Sequence, residues 1–244
     1  MKILEICAAA RSGHHAMVNW VVKNISGYEY EMGNKLKVLP NGVYYINEGN
    51  HDKNLTLDYI ESFSKNNGRT LLISYKNTHP NYTVLNENER YIGPMSINNQ
   101  NIYNFDENYR IVFIRNFYNN IASRIQDNNN SILNNQPIKW NVTESFFTMW
   151  KEQAKYAIEG KCLFLKYEDW VTSKEKRNEF MKSLTKHGEL FNNKVSGTHS
   201  SFNDTNIMNR WKSVEFPKEV KDLIRNDNEL HYLMGAIGYD YIKF

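Results

Sequence analysis

The chain has 244 residues, of which 41% are hydrophobic and 14% aromatic, enough to bury a sizeable core in one large or two small domains. A net charge of +3 is too small to argue for nucleic acid, and the two cysteines, Cys7 and Cys162, form neither a disulfide framework nor metal-ligand spacing with histidine. The chain runs directly into a strand with neither a secretory leader nor a transmembrane run, so a cytoplasmic protein without membrane or metal partners is expected.

Residues 2–8 are an apolar run that predicts a buried strand. Ser12 and Gly13 lead into a segment with Met17, Val18, Val21 and Val22 at helical spacing. A strand, a tight small-residue turn and a helix build an anion site, because the first helical N–H groups lack intrahelical partners and the dipole adds partial positive charge. Arg11 adds a full charge at the rim. Many α/β domains open with this unit and bind nothing, and the residues alone leave both readings open. An ATP-type phosphate loop is not present: that pattern needs Gly-x-x-x-x-Gly-Lys-Ser/Thr, and here one glycine is followed by His14.

Residues 27–42 read as polar and irregular, 43–46 as a short strand, and 55–64 as a helix ended by Asn67-Gly68. Residues 70–75 form the next buried strand, and the loop after it carries His79. Residues 81–108 are polar and Asn-rich and are expected to be loops, with a short helix as the alternative for part of them. Residues 109–114 are a strand with Arg115 at its end, 116–126 a helix, and 127–137 an Asn-rich surface loop. Residues 143–159 form an amphipathic helix ended by Gly160. Residues 162–166 are a buried strand closed by Tyr167-Glu168-Asp169-Trp170, and 174–184 are a helix. After a polar stretch over 188–209, Pro217 opens a helix at its first position, and 229–237 continue the helical character up to Gly238. Cys7 and Cys162 read as core thiols within parallel strands.

Strands alternating with helices predict a single three-layer α/β domain over 1–244, with a mainly parallel central sheet flanked by helices. Ligands in such sheets bind beyond the carboxyl ends of the strands. Arg11, His79, Arg115 and Tyr167 each follow an apolar strand at that end.

Taken in this order, several segments resemble the sulfotransferases that use 3′-phosphoadenosine 5′-phosphosulfate (PAPS). Arg11-Ser12-Gly13-His14-His15, leading into Ala16, resembles the 5′-phosphosulfate loop, with two histidines where the family carries two threonines. Arg115 at a strand end with Ser123 on the next helix resembles the 3′-phosphate motif. Tyr167 in Tyr167-Glu168-Asp169 and Phe202 in Ser200-Ser201-Phe202 resemble the aromatics that meet adenine. Arg210-Trp211-Lys212 resembles a segment near the 3′-phosphate, and Gly238-Tyr239-Asp240-Tyr241 the common C-terminal ending. A Gly-rich basic segment before Trp211 is absent. Asn77-Thr78-His79-Pro80 resembles the Lys-Thr-His segment of the catalytic base, although Asn77 separates Lys76 from Thr78.

The resemblance implies a P-loop-NTPase-like sulfotransferase fold, PAPS as donor, the 3′,5′-bisphosphate (PAP) as product, and in-line transfer without metal. Arg11 would neutralise charge on the bridging oxygen, and His79 would take the acceptor's proton, with His15 the alternative base. The acceptor would be a small molecule or carbohydrate shaped by 81–108 and 127–142, with no nucleic acid as partner and oligomeric state open. Bland roles stand beside these: His79 as a turn residue, Tyr167 and Phe202 as core aromatics, and Arg115 as the partner of Glu168 or Asp169. Glu168 and Asp169, as neighbours, point apart on a strand and suit a structural role better than hydrolysis. Two other functions compete: a nucleoside or nucleotide kinase on a related fold, and a non-enzymatic nucleotide- or RNA-binding module.

Overall fold

The computed structural model of the chain describes residues 2–9, 12–28, 36–39, 42–46, 63, 69–76, 106–138, 142, 144–191 and 208–242. Its strands are β1 (Lys2–Ala8), β2 (Leu36–Leu39), β3 (Val43–Ile46), β4 (Thr70–Lys76), β5 (Glu107–Ile114) and β6 (Leu163–Lys166). Its helices are α1 (His14–Ser26), α2 (Phe117–Leu133), α3 (Glu144–Ile158), α4 (Tyr167–Thr172), α5 (Lys174–Leu184), α6 (Lys218–Asn226) and α7 (Asn228–Ala236), with a 3-10 turn over Arg210–Ser213.

The sheet runs β2-β3-β4-β1-β5-β6. The five strands from β3 to β6 pair in parallel, and β2 joins the edge antiparallel to β3. β1 lies at the centre because it is apolar on both faces, as a parallel strand covered on two sides must be. Ile3, Cys7 and Ala9 share one core with Phe117, Tyr118 and Trp150. Leu4, Ile6 and Ala8 share the other with Met17, Trp20, Trp170 and Phe180. The layers are therefore helix, sheet, helix, as the alternation of elements predicts.

From β1 the chain leaves through α1 towards β3. From β5 it leaves through α2 and α3 towards β6, on the opposite face. β1 and β5 are neighbours, so their carboxyl ends flank the place where the winding reverses, the usual ligand crevice of such sheets.

Several boundaries differ from expectation. β2 occupies part of the stretch read as irregular; it is a four-residue edge strand, too short for a clear alternation. The expected loop over 127–137 is largely helix, because α2 runs on to Leu133. Amide side chains carry it through poor helix formers: Gln126 Nε2 donates to Asn130 Oδ1 at 3.2 Å, and Asn134 Nδ2 to the Asn130 carbonyl at 2.7 Å. Pro217 is the N-cap of α6 rather than its first residue. Asp227 separates α7 from α6 by accepting the Leu230 N–H at 2.9 Å. Cys162 lies just before β6 and is half-buried, whereas Cys7 is buried within β1; both are free thiols. Burial pushes Cys162 up to about 12 and Cys7 well above the usual thiol range, which leaves neither reactive. The expected helix over 55–64 lies outside the described residues except Phe63, which meets the Tyr44 ring edge-on at 5.3 Å.

Candidate functional site

Three strand ends meet at the crevice. At the first, β1 passes into α1 through a turn in which the Ser12 N–H donates to the Ala9 carbonyl at 3.2 Å. Gly13 is the N-cap, with φ of 81° and no side chain to satisfy the first turn, and no acidic residue competes there. Two things require glycine: the left-handed backbone, and the Tyr167 ring, into which a Cβ would collide. The Ser12 hydroxyl is buried and makes no hydrogen bond among the described residues. His14 is buried, His15 is half-exposed, and their rings lie 3.9 Å apart. Ala16 closes the turn, its N–H donating to the Gly13 carbonyl at 3.1 Å. The junction thus gathers the N-terminal end of the α1 dipole, a buried hydroxyl and two imidazoles at one place, a combination that suits an anion.

At the second strand end, β5 passes into α2. Arg115 is 3% exposed, and its Nη1 donates to Ser123 Oγ at 2.9 Å. Its carbonyl accepts from Trp150 Nε1 at 3.0 Å. Asn116 caps α2, its side chain accepting the Asn119 N–H at 3.1 Å. The Asn116 N–H in turn donates to both Glu168 oxygens, at 3.2 and 3.3 Å.

At the third, β6 ends in the short helix α4, whose first residue is Tyr167. One side of its ring covers Gly13, and the Arg115 guanidinium lies 4.9 Å from its centroid. Tyr167 therefore joins the first two junctions, which stand about one aromatic ring apart. The next two acids diverge, as their adjacency suggests, though α4 rather than a continued strand separates them. Glu168 is buried and accepts the Tyr239 hydroxyl at 2.6 Å, while Asp169 pairs with Lys166 at 3.7 Å. Burial and the Glu168 carboxylate push the Tyr239 phenol well above its usual range, so it remains a donor.

The 3-10 turn docks on the start of α2. Asn119 Nδ2 donates to the Met208 carbonyl at 2.8 Å, and its Oδ1 accepts the Trp211 N–H at 3.3 Å. Arg210 and Lys212 thereby sit on a segment fixed one helical turn before Ser123, with Lys212 exposed. Sequence reasoning missed Asn119, Asn116 and Tyr239 as organisers of this rim; the N-cap signal of Asn before a helix could have found Asn116.

Of the residues singled out in the sequence, Ser12, Gly13, His14, His15, Ala16, Arg115, Ser123 and Tyr167 come together here, with Arg210 and Lys212 on the adjoining turn. Arg11, His79, Ser200 and Phe202 lie outside the described residues. Among the described residues no cluster of His, Cys, Asp or Glu is built to hold a metal, and no helix is long and apolar enough to cross a membrane. A groove of about 740 Å³ between α3 and α6, lined by Phe147, Lys151, Asp222, Leu223 and Asp227, includes none of these residues.

No protein-family model matches the chain, and no curated protein matches it in sequence. Among solved structures the chain is similar to the "Sulfotransferase Domain from the Curacin Biosynthetic Pathway", with a TM-score of 0.50 and 14% identity over 99% of each chain. At that identity the likeness is one of fold.

Proposed function

We propose that the chain transfers a sulfuryl group from PAPS to a hydroxyl or amine of a small-molecule or carbohydrate acceptor. The observation that carries this is the pairing of two anion-ready junctions across the Tyr167 ring: the Gly13 turn of α1, and the buried Arg115–Ser123 pair. A nucleotide with phosphates at both its 5′ and 3′ ends matches two such sites, whereas ATP or AMP has no group for the second. The fold shared with a sulfotransferase domain supports the same reading.

In this scheme the first-turn N–H groups of α1 and the Ser12 hydroxyl hold the 5′-phosphosulfate. Arg115 and Ser123 hold the 3′-phosphate through charge-assisted hydrogen bonds, with Arg210 and Lys212 adding positive charge. Tyr167, Ser200 and Phe202 border the base. The acceptor oxygen attacks sulfur in line, the bond from sulfur to the bridging oxygen breaks, and PAP leaves as an anion. Arg11 neutralises charge on that bridging oxygen, and His79 takes the acceptor's proton, with His15 the alternative base. PAP is a stabilised leaving group, so the scheme routes no step through a metal.

The test is turnover of PAPS to PAP with EDTA present, against a panel of hydroxyl and amine acceptors, followed by mass spectrometry for a sulfated product. Acceptor-dependent PAP release with a sulfated product is expected. Magnesium-dependent consumption of ATP, with no PAPS turnover, would assign a kinase instead.

A further inference from the structure

The chain's last described residues fold back over the ends of β5 and β6. Gly238 turns the backbone with φ of 77°, and Tyr239 follows, its ring 5.3 Å from the Lys166 ammonium. The Tyr239 hydroxyl donates to Glu168 Oε2 at 2.6 Å and stands 3.4 Å from the Ile114 carbonyl. Further on, the Ile242 N–H donates to the Tyr118 hydroxyl at 3.1 Å, which anchors this strap to the first turn of α2.

Arg115 and Asn116 are consecutive, and each has a main-chain group held from outside its own strand or helix, while the preceding Ile114 carbonyl only lies near the Tyr239 hydroxyl, whose single proton goes to Glu168. The Ile114 carbonyl faces the Tyr239 hydroxyl, the Arg115 carbonyl accepts from Trp150, and the Asn116 N–H donates to Glu168. Glu168 links the strap to this peptide, taking the phenol on one side and the Asn116 N–H on the other. The Arg115–Asn116 peptide is therefore held at both its carbonyl and its N–H, and the C-terminal strap backs the second hold through Glu168. Backbone groups at a strand end need only one partner each to avoid a desolvation cost. A shared carboxylate between two elements does more, because it fixes their relative position.

We propose that Tyr239, acting through Glu168, is a positioning residue for the 3′-phosphate subsite: it fixes the Arg115–Asn116 peptide so that the Arg115 guanidinium stands against Ser123 and the Tyr167 ring. The inference rests on the PAP-binding reading above. Removing the hydroxyl leaves the ring and its packing, but it frees Glu168 to turn away from Asn116. The guanidinium then loses its aim, and a charge-assisted hydrogen bond loses strength steeply with misalignment.

The experiment is calorimetric titration of PAP and AMP into wild type, Tyr239→Phe, Arg115→Ala and the double variant, alongside melting temperatures. Tyr239→Phe is expected to weaken PAP about fivefold or more and AMP less than about twofold. In the Arg115→Ala background it should weaken PAP no further, because the phenol acts through that side chain. Glu168→Gln, which keeps the shape but turns one of the two oxygens facing the Asn116 N–H into an amide donor, should lower the PAP-to-AMP ratio in the same direction, and it serves if Tyr239→Phe does not fold. A lower melting temperature with an unchanged PAP-to-AMP ratio would overturn the positioning role and leave the proposed function standing. Wild type that binds AMP as tightly as PAP would overturn both.

Discussion

The β1–α1 and β5–α2 junctions are both strand ends that open into helices, yet they are equipped for different tasks. The first presents backbone N–H groups around Gly13, the buried Ser12 hydroxyl and two imidazoles. The second presents a buried guanidinium whose backbone is held by Trp150 and Glu168 and whose head is held by Ser123. Backbone dipoles accept any anion that fits the turn, so the first junction suits sulfate and phosphate alike. A guanidinium fixed against a hydroxyl and a ring accepts an anion at one place only. In the proposed function, affinity is shared between the junctions, while selectivity for a 3′-phosphate belongs to the second.

The largest expected effect comes from breaking the first junction. Gly13→Ala drives a Cβ into the Tyr167 ring and strains a left-handed backbone, so both junctions shift at once. We expect PAP and AMP both to weaken by about a hundredfold or more, about 2.8 kcal/mol, because relief of the collision moves the first-turn N–H groups and the ring off the phosphate. Calorimetry of the folded variant checks this; unchanged affinity for both nucleotides would mean the turn holds no phosphate. Arg115→Ala comes next and breaks the second junction alone. PAP should weaken tenfold or more and AMP barely, since a hydrogen bond to a charged group contributes about 1.5–3 kcal/mol. Ser123→Ala removes only the hydroxyl partner, and a loss near fivefold for PAP is expected from about 1 kcal/mol.

The smallest expected effect on nucleotide binding lies away from both junctions and sharpens the contrast. Glu5 is fully buried mid-strand opposite Arg110, and neither of its oxygens has a hydrogen-bond partner among the described residues. Burial raises its carboxyl to about 8, against a partial counter-effect from Arg110. Between pH 4.5 and about 8 the folded chain therefore holds this proton while the unfolded chain releases it, and stability falls as pH rises through that window. Glu5→Gln removes the fall, whose steepest slope is about 1.4 kcal/mol per pH unit. Melting temperatures of variant and wild type should stay close near pH 5, and the variant should be several degrees higher at pH 8, with the PAP-to-AMP ratio unchanged. A variant that melts no higher than wild type at pH 8 would contradict the assignment.

The sheet was legible where burial made the sequence simple. β1, β4 and the second half of β5 are near-continuous apolar runs because both of their faces are covered. Helix α3 was legible from its amphipathic spacing. β2 was not, since an edge strand of four residues leaves no period to read. The far end of α2 was hidden because asparagine is a poor helix former, and the amide bonds that sustain it are invisible to a propensity argument. At the site, Gly13, Arg115 and Tyr167 could be picked out because each sits at or just beyond a strand end, whereas Ser123, in the second turn of α2, was reached only through the resemblance to the 3′-phosphate motif. The Glu168–Tyr239 tie joins residues 71 apart, and Asn119 meets Met208 across 89, so no local pattern announces either.

The central claim is that the β5–α2 junction reads a 3′-phosphate, and calorimetric titration of the wild-type chain with PAP and with AMP in EDTA tests it most directly. PAP should bind tenfold or more tightly than AMP, the increment of one or two charge-assisted hydrogen bonds. Equal affinity for the two nucleotides would contradict the claim.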